Sequence, residues 1–183
     1  MSDAPTQHLD QDRETRAVRT RDSLLAHLSA LREHVLTSID GLSESDLRRA
    51  VLPSGWSCLG MIKHLTYDDE VFWFQAVVAA DPDAIALLQR PEVHDAWHVA
   101  DDVPVVDVLD AYRAAIETSD RIVAATDLGA APAWWPGDLF GDWRLDDLEQ
   151  VLQHMVVEVA THAGHVDVVR ELIDGQQQVV LTD

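Results

Sequence analysis

From Arg21 onward apolar residues recur at steps of three and four: Leu24, Leu25, Leu28, Leu31, Val35, Ile39 and Leu42. That period predicts an amphipathic helix. Gly41, then Ser43 at the head of SESDLRR, marks its end and a short capped turn. Beyond the break at Pro53, Ser54 and Gly55, a second stripe runs from near Ser57 to about Ala80 through Cys58, Met61, Ile62, Leu65, Phe72 and Ala76, and Asp81-Pro82 closes it. Residues 83–103 are irregular, apart from a short apolar turn at Ile85, Leu87 and Leu88. Pro104 suits the first turn of a third helix, carried by Val108, Leu109, Tyr112, Ile116 and Val123. AAPAWWPGDLFGDW, 130–143, reads as an ordered loop. A fourth helical segment runs from Leu145 to Asp174, with Gly175 as its cap.

Four long amphipathic segments and no alternating run predict an all-α protein built as a four-helix bundle. The connection between helices 2 and 3, roughly 20 residues, is long for antiparallel neighbours. It can cross the bundle and leave those helices parallel. The expected division is a polar arm at 1–15, a bundle at 16–175 and a tail at 176–183.

Charge narrows the choice of partner. Thirty-three acidic residues against thirteen basic ones give a formal charge of -20. Such a field repels nucleic-acid backbones and anionic membrane surfaces. No apolar run approaches the roughly 20 residues that span a bilayer, and the polar N-terminal stretch does not resemble a signal peptide. Cys58 is the sole cysteine, which fits a reducing cytoplasm, and its apolar neighbours suggest a core position. The expected partners are a small-molecule substrate and, in a homodimer, a second copy of the chain.

The candidate chemistry lies in the fourth segment. Glu158 and His162 are four residues apart, so both can reach one ion from a single helix. On the wheel His162 falls among apolar residues, Glu158 sits at the stripe's edge, and His165 and His154 lie slightly farther round. His64, on the second helix, can close the set, giving two histidines and a glutamate, a donor set suited to Zn²⁺ or a similar transition metal. Spacing alone is equally met by Glu158 and His162 hydrogen-bonding each other or another helix. Asp68 and Asp69 are either partners that orient an imidazole or a solvated flank. His94 and His98 form a competing pair in an irregular segment. Trp73, Trp97, Trp134, Trp135 and Trp143 either line a ligand cavity or pin the loops. Lys63 reads as a solvated flank, and no phosphate-binding or serine-nucleophile motif occurs.

The stretches PSGWSCLGMIKHL (53–65), VVDVLDAYRAAIETSDRIVA (105–124), WWPGDLFGDWRL (134–145) and HMVVEVATHAGHVDVVRELIDG (154–175) resemble, in order, the DinB/YfiT-like metalloenzyme superfamily. The likeness spans about Arg21 to Gly175. It extends to the N-terminal domain of mycothiol-dependent maleylpyruvate isomerases. It implies an up-down-down-up four-helix bundle and a metal triad of His64, Glu158 and His162. Many members carry histidine at the position of Glu158. The isomerases' C-terminal domain has no counterpart in this sequence.

Three functions follow as expectations. The first is a metal-dependent enzyme that activates a low-molecular-weight thiol, mycothiol in kind, for S-transfer or isomerisation. The resemblance supplies the thiol; the metal is divalent, Zn before Ni, Fe or Mn. His165 and Asp68 are the candidate catalytic groups, and Trp134 and Trp135 the candidate cofactor-binding ones. The second is a hydrolase using metal-activated water. The third is a non-catalytic metal- or ligand-binding bundle.

Overall fold

The structure, a computed structural model, describes residues 4–178 other than 96 and 138, and their regular structure is entirely helical. Helix α1 spans Ala4–Ile39, α2 Glu44–Arg48, α3 Cys58–His64, α4 Pro82–Leu88, α5 Pro91–His94, α6 Val105–Ala125 and α7 Leu148–Asp174. Helix α3 runs directly into a wider stretch, Leu65–Val78, with the i→i+5 hydrogen bonding of a π-helix. This is called the π segment below. It contains neither glycine nor proline, and nothing in its local sequence announces the wider winding.

Side-chain caps set most of the boundaries. Ser43 accepts from the Asp46 N–H at the start of α2, and Ser57 accepts from the Gly60 N–H at 3.1 Å to open α3. The Asp81 carboxylate accepts from the N–H groups of Asp83 and Ala84, with Pro82 in the first turn of α4. Asp147 caps α7, and Gly175 ends that helix at φ 79°, its N–H on the Glu171 carbonyl at 2.9 Å. The left-handed conformation is open to glycine without a Cβ penalty.

One boundary differs from the hydrophobic pattern. The polar stretch read as an arm is helical from Ala4, well before Arg21, where the apolar period sets in. Gln, Arg and Glu are good helix formers and need no buried stripe to extend an existing helix. Residues 1–3 and 179–183, the ends of the expected arm and tail, lie outside the described residues.

Helix α1 packs along α7, α6 packs along the π segment, and α3 touches both α6 and α7. The core between them is closed by Leu28, Val35, Ile62, Phe74, Tyr112 and Met155, all fully buried. The long connection from the π segment to α6 contains α4, which packs back on the π segment, and α5. The Trp-rich loop is tied down by its backbone, with Trp134 N–H donating to the Val77 carbonyl at 3.1 Å.

Charges are also buried here. Arg32 donates through Nε and NH2 to both oxygens of Glu70 at 2.7 and 2.6 Å, and through NH1 to Asp120 at 2.8 Å. Arg170 of α7 donates to the carbonyls of Ser38 and Asp40, both at 2.8 Å, and so ties the end of α1 to α7. Among the described residues no helix is long and apolar enough to cross a membrane.

Candidate metal centre

His64 ends α3 and His162 lies in the middle of α7, and their Nε2 atoms are 3.2 Å apart. Asp68, one turn on, accepts from His64 Nδ1–H at 2.8 Å. In a neutral His64 ring that bond places the proton on Nδ1, the tautomer whose Nε2 lone pair can hold a metal ion. Burial first, then the charges of His64 and His165, pull the pKa of His162 down to about 4, so its ring is neutral at ordinary pH. A neutral ring carries one proton. With that proton on Nδ1, two Nε2 lone pairs face each other; with it on Nε2, the buried Nδ1, which has no partner, is a stranded acceptor. A cation meets both facing lone pairs. Two nitrogens about 2.0–2.1 Å from one tetrahedral ion lie roughly 3.3 Å apart, close to the observed separation.

A carboxylate completes this group. Asp69 is 3% exposed and its Oδ2 has no hydrogen-bond partner among the described residues. One ligand atom each from His64, Asp69 and His162 fall within 4.8 Å of one another. Burial, and then the charges of Glu158, Glu70 and Asp68, push the Asp69 carboxyl well above its ordinary range. A stranded, desolvated carboxylate beside two lone pairs is costly without a counter-charge. The donor set thus fits a divalent cation.

Glu158 stands close to this group. Its Oε2 is 3.6 Å from His162 Nε2, its Oε1 is 3.9 Å from His154 Nε2, and its side chain is 37% exposed. His154 is held below its usual pKa by burial, with Glu158 opposing. His165 lies on the exposed side of α7, its ring centroid 5.9 Å from that of His162.

A cleft of about 310 Å³ opens beside the histidines, with His64, Asp68, Asp69, His154 and Glu158 on one side. Its aromatic wall is Phe72, Trp73, Phe140 and Trp143. Neither Trp134 nor Trp135 lines it: Trp134 packs on Phe72, and Trp135 on Trp73 and Phe140 with Arg144 over its ring. Cys58 is a buried thiol pushed by burial to about 11, which suits a core residue.

Trp97, a candidate for lining a cavity or pinning a loop, lies directly against the metal-site histidine, a contact that its irregular segment did not indicate. Its ring stacks on His64 with centroids 4.0 Å apart. Lys63, rather than standing in solvent, donates to the carbonyls of Asp95 and His98 at 2.6 and 2.8 Å, and so clasps the segment that carries Trp97. His98 is exposed, and the side chain of His94 lies outside the described residues. A Cβ on Gly60 would meet the Trp97 carbonyl oxygen at 2.2 Å. Gly60→Ala should therefore push Trp97 off His64 and destabilise the fold by about 1–3 kcal/mol, the range for overpacking. Urea titration and easier quenching of tryptophan fluorescence read the two effects.

No curated protein and no solved structure matches the chain. The model of one family, described as mycothiol-S-transferase, matches residues 23–175. With most of its length covered, the chain belongs to the mycothiol-S-transferase family, a DinB/YfiT-like family.

Proposed function

We propose that this protein is a metal-dependent transferase that activates mycothiol and passes its sulfur to an electrophilic acceptor. The observation that carries this reading is the pair of imidazole Nε2 atoms 3.2 Å apart, together with buried Asp69, which offers a carboxylate oxygen within 4.8 Å of a ligand atom of each histidine. His64, His162 and Asp69 would hold the ion, and Glu158 is a second carboxylate within reach. A divalent ion held there supplies the Lewis acidity that makes a thiol a thiolate near neutral pH. Zinc suits two imidazoles and a carboxylate, with a position left for the thiol.

The chain's own groups do the rest. Asp68 holds His64 in the liganding tautomer. Trp97 covers one face of His64 and narrows the approach of water. His165, exposed beside His162, is a proton acceptor at the edge of the site. We read the long helices as a four-helix bundle with an up-down-down-up course. Residues 16–175 form its working domain, and a homodimer is its expected assembly.

Metal-loaded protein incubated with mycothiol and a set of electrophiles should consume both faster than metal-free protein. Absence of turnover across the set would overturn the reading, and so would thiol-independent cleavage of esters or amides, which points to hydrolysis. The two carboxylates are separable. Asp69→Asn should weaken metal binding more than Glu158→Gln, because Asp69 is buried with a free oxygen and Glu158 is already partly hydrated. Asp68→Asn should cost about 10–100-fold in metal affinity, the usual effect of removing an orienting partner. Competition against a chromophoric chelator measures all three.

A further inference from the structure

We infer that the cleft beside the histidines receives the acceptor and selects a planar aromatic electrophile carrying no negative charge. This rests on the thiol-transfer reading above. Two independent features of the cleft point to that class.

The first is its wall. Trp73 and Phe140 stack with centroids 5.7 Å apart, while Phe140 meets Trp143 edge-on at 5.3 Å and Trp73 meets His154 edge-on at 4.6 Å. Rings set at mixed angles offer both faces and edges to a flat guest, which aromatic pairs prefer to a parallel sandwich. The mouth leaves apolar surface in water: Leu139 is 64% exposed and Trp143 44%. A bound ring would cover both. A volume of about 310 Å³ admits a small aromatic molecule.

The second is charge. Asp68, Asp69 and Glu158 line the cleft, and its described lining contains no lysine or arginine. A divalent cation leaves one of those three negative charges uncompensated, in a chain of net charge -20. An anionic acceptor would enter against that field with no partner for its charge. His64 and Glu158 line the same cleft as Trp73 and Trp143, and His64 Nε2 is 3.2 Å from His162 Nε2, so a ring bound against those indoles lies in the cleft that borders the metal-site histidines.

With an aryl halide the chemistry balances without a further reactant. The thiol loses its proton to solvent, and the thiolate sulfur attacks the carbon that bears the halogen. The carbon–sulfur bond forms, the carbon–halogen bond breaks, and halide departs with the bonding pair. A thioether, a halide ion and a proton result.

The test begins with binding. Metal-loaded protein is titrated calorimetrically with dinitrobenzene, which is neutral and unreactive, and with dinitrobenzoate. The neutral ring should bind at least about tenfold more tightly, a difference of about 1.4 kcal/mol. Trp143→Ala and the exposed-mouth variant Leu139→Ala should each weaken its binding while metal content stays at the wild-type level. Equal binding of the two compounds, or binding unaltered in both variants, would overturn the inference. Turnover then separates this inference from the reading beneath it. Chlorodinitrobenzene should be accelerated over its uncatalysed reaction with mycothiol far more than iodoacetamide. Equal acceleration defeats the aromatic preference and leaves thiol transfer standing. Tight binding of the neutral ring with no turnover of any acceptor defeats thiol transfer and leaves the cleft's selectivity.

Discussion

Replacing His162 with alanine should lower metal affinity by at least about a hundredfold, and purified variant should carry almost no metal. Changes to groups that only orient a ligand cost 10–100-fold; removing a donor 3.2 Å from its partner imidazole removes part of the site itself. The variant should remain folded, because the truncation also removes the buried, unpartnered Nδ1. Acid stability provides a separate reading. The folded-state pKa of His162 lies near 4, below the ordinary 6.5. Unfolded chains therefore bind the proton first, and metal-free wild type loses stability as pH falls through that window. Metal-free His162→Ala lacks this contribution, so its stability should fall less steeply between those pH values. Metal content by elemental analysis and urea titrations across that range check both. A variant that keeps wild-type metal affinity would contradict the assignment.

The second large effect lies away from the ion. Arg32→Ala should destabilise the protein by about 3–5 kcal/mol, the cost of breaking a buried pair from one side. Glu70 is completely buried and accepts two hydrogen bonds from Arg32. Burial already pushes its carboxyl up against the pull of that guanidinium. Without Arg32, the charge either stays unpaired or takes a proton. Glu70→Gln in the Arg32→Ala background should return part of the loss, because a neutral amide is cheaper to bury than an unpaired carboxylate. Chemical denaturation measures both steps. A loss under about 1 kcal/mol for the single variant would show that the pair is not the tie it resembles.

Much of the helical frame was legible because its boundaries are written in local chemistry. Ser57, Asp81-Pro82, Pro104 and Gly175 each carry a cap or stop that acts within a few residues. Helix α1 was misjudged at its start because a helix of polar residues has no apolar period to announce it. Within the site, the inward face of His162 follows from its apolar neighbours on α7. The place of Asp69 did not follow. On an α-helix, residue i+5 lies about 140° around from residue i, which parts Asp69 from His64. The i→i+5 winding of the π segment brings it round, and that winding has no local signature here. The candidate tryptophans were visible as a class, but which of them face the cleft was not. Trp134 and Trp135 stand out as a pair, but the cleft takes its indoles from Trp73 on the π segment and Trp143 in the loop. Trp97 reaches His64 from an irregular segment, where no period constrains direction.

Cobalt-loaded protein titrated with mycothiol tests the central claim most directly, because a thiolate bound to Co²⁺ produces a near-ultraviolet charge-transfer band. The band should grow to saturation with stoichiometric thiol in the wild type and be missing in His162→Ala. A site that takes up cobalt through His64 and His162 yet shows no sulfur band at saturating mycothiol would contradict the account.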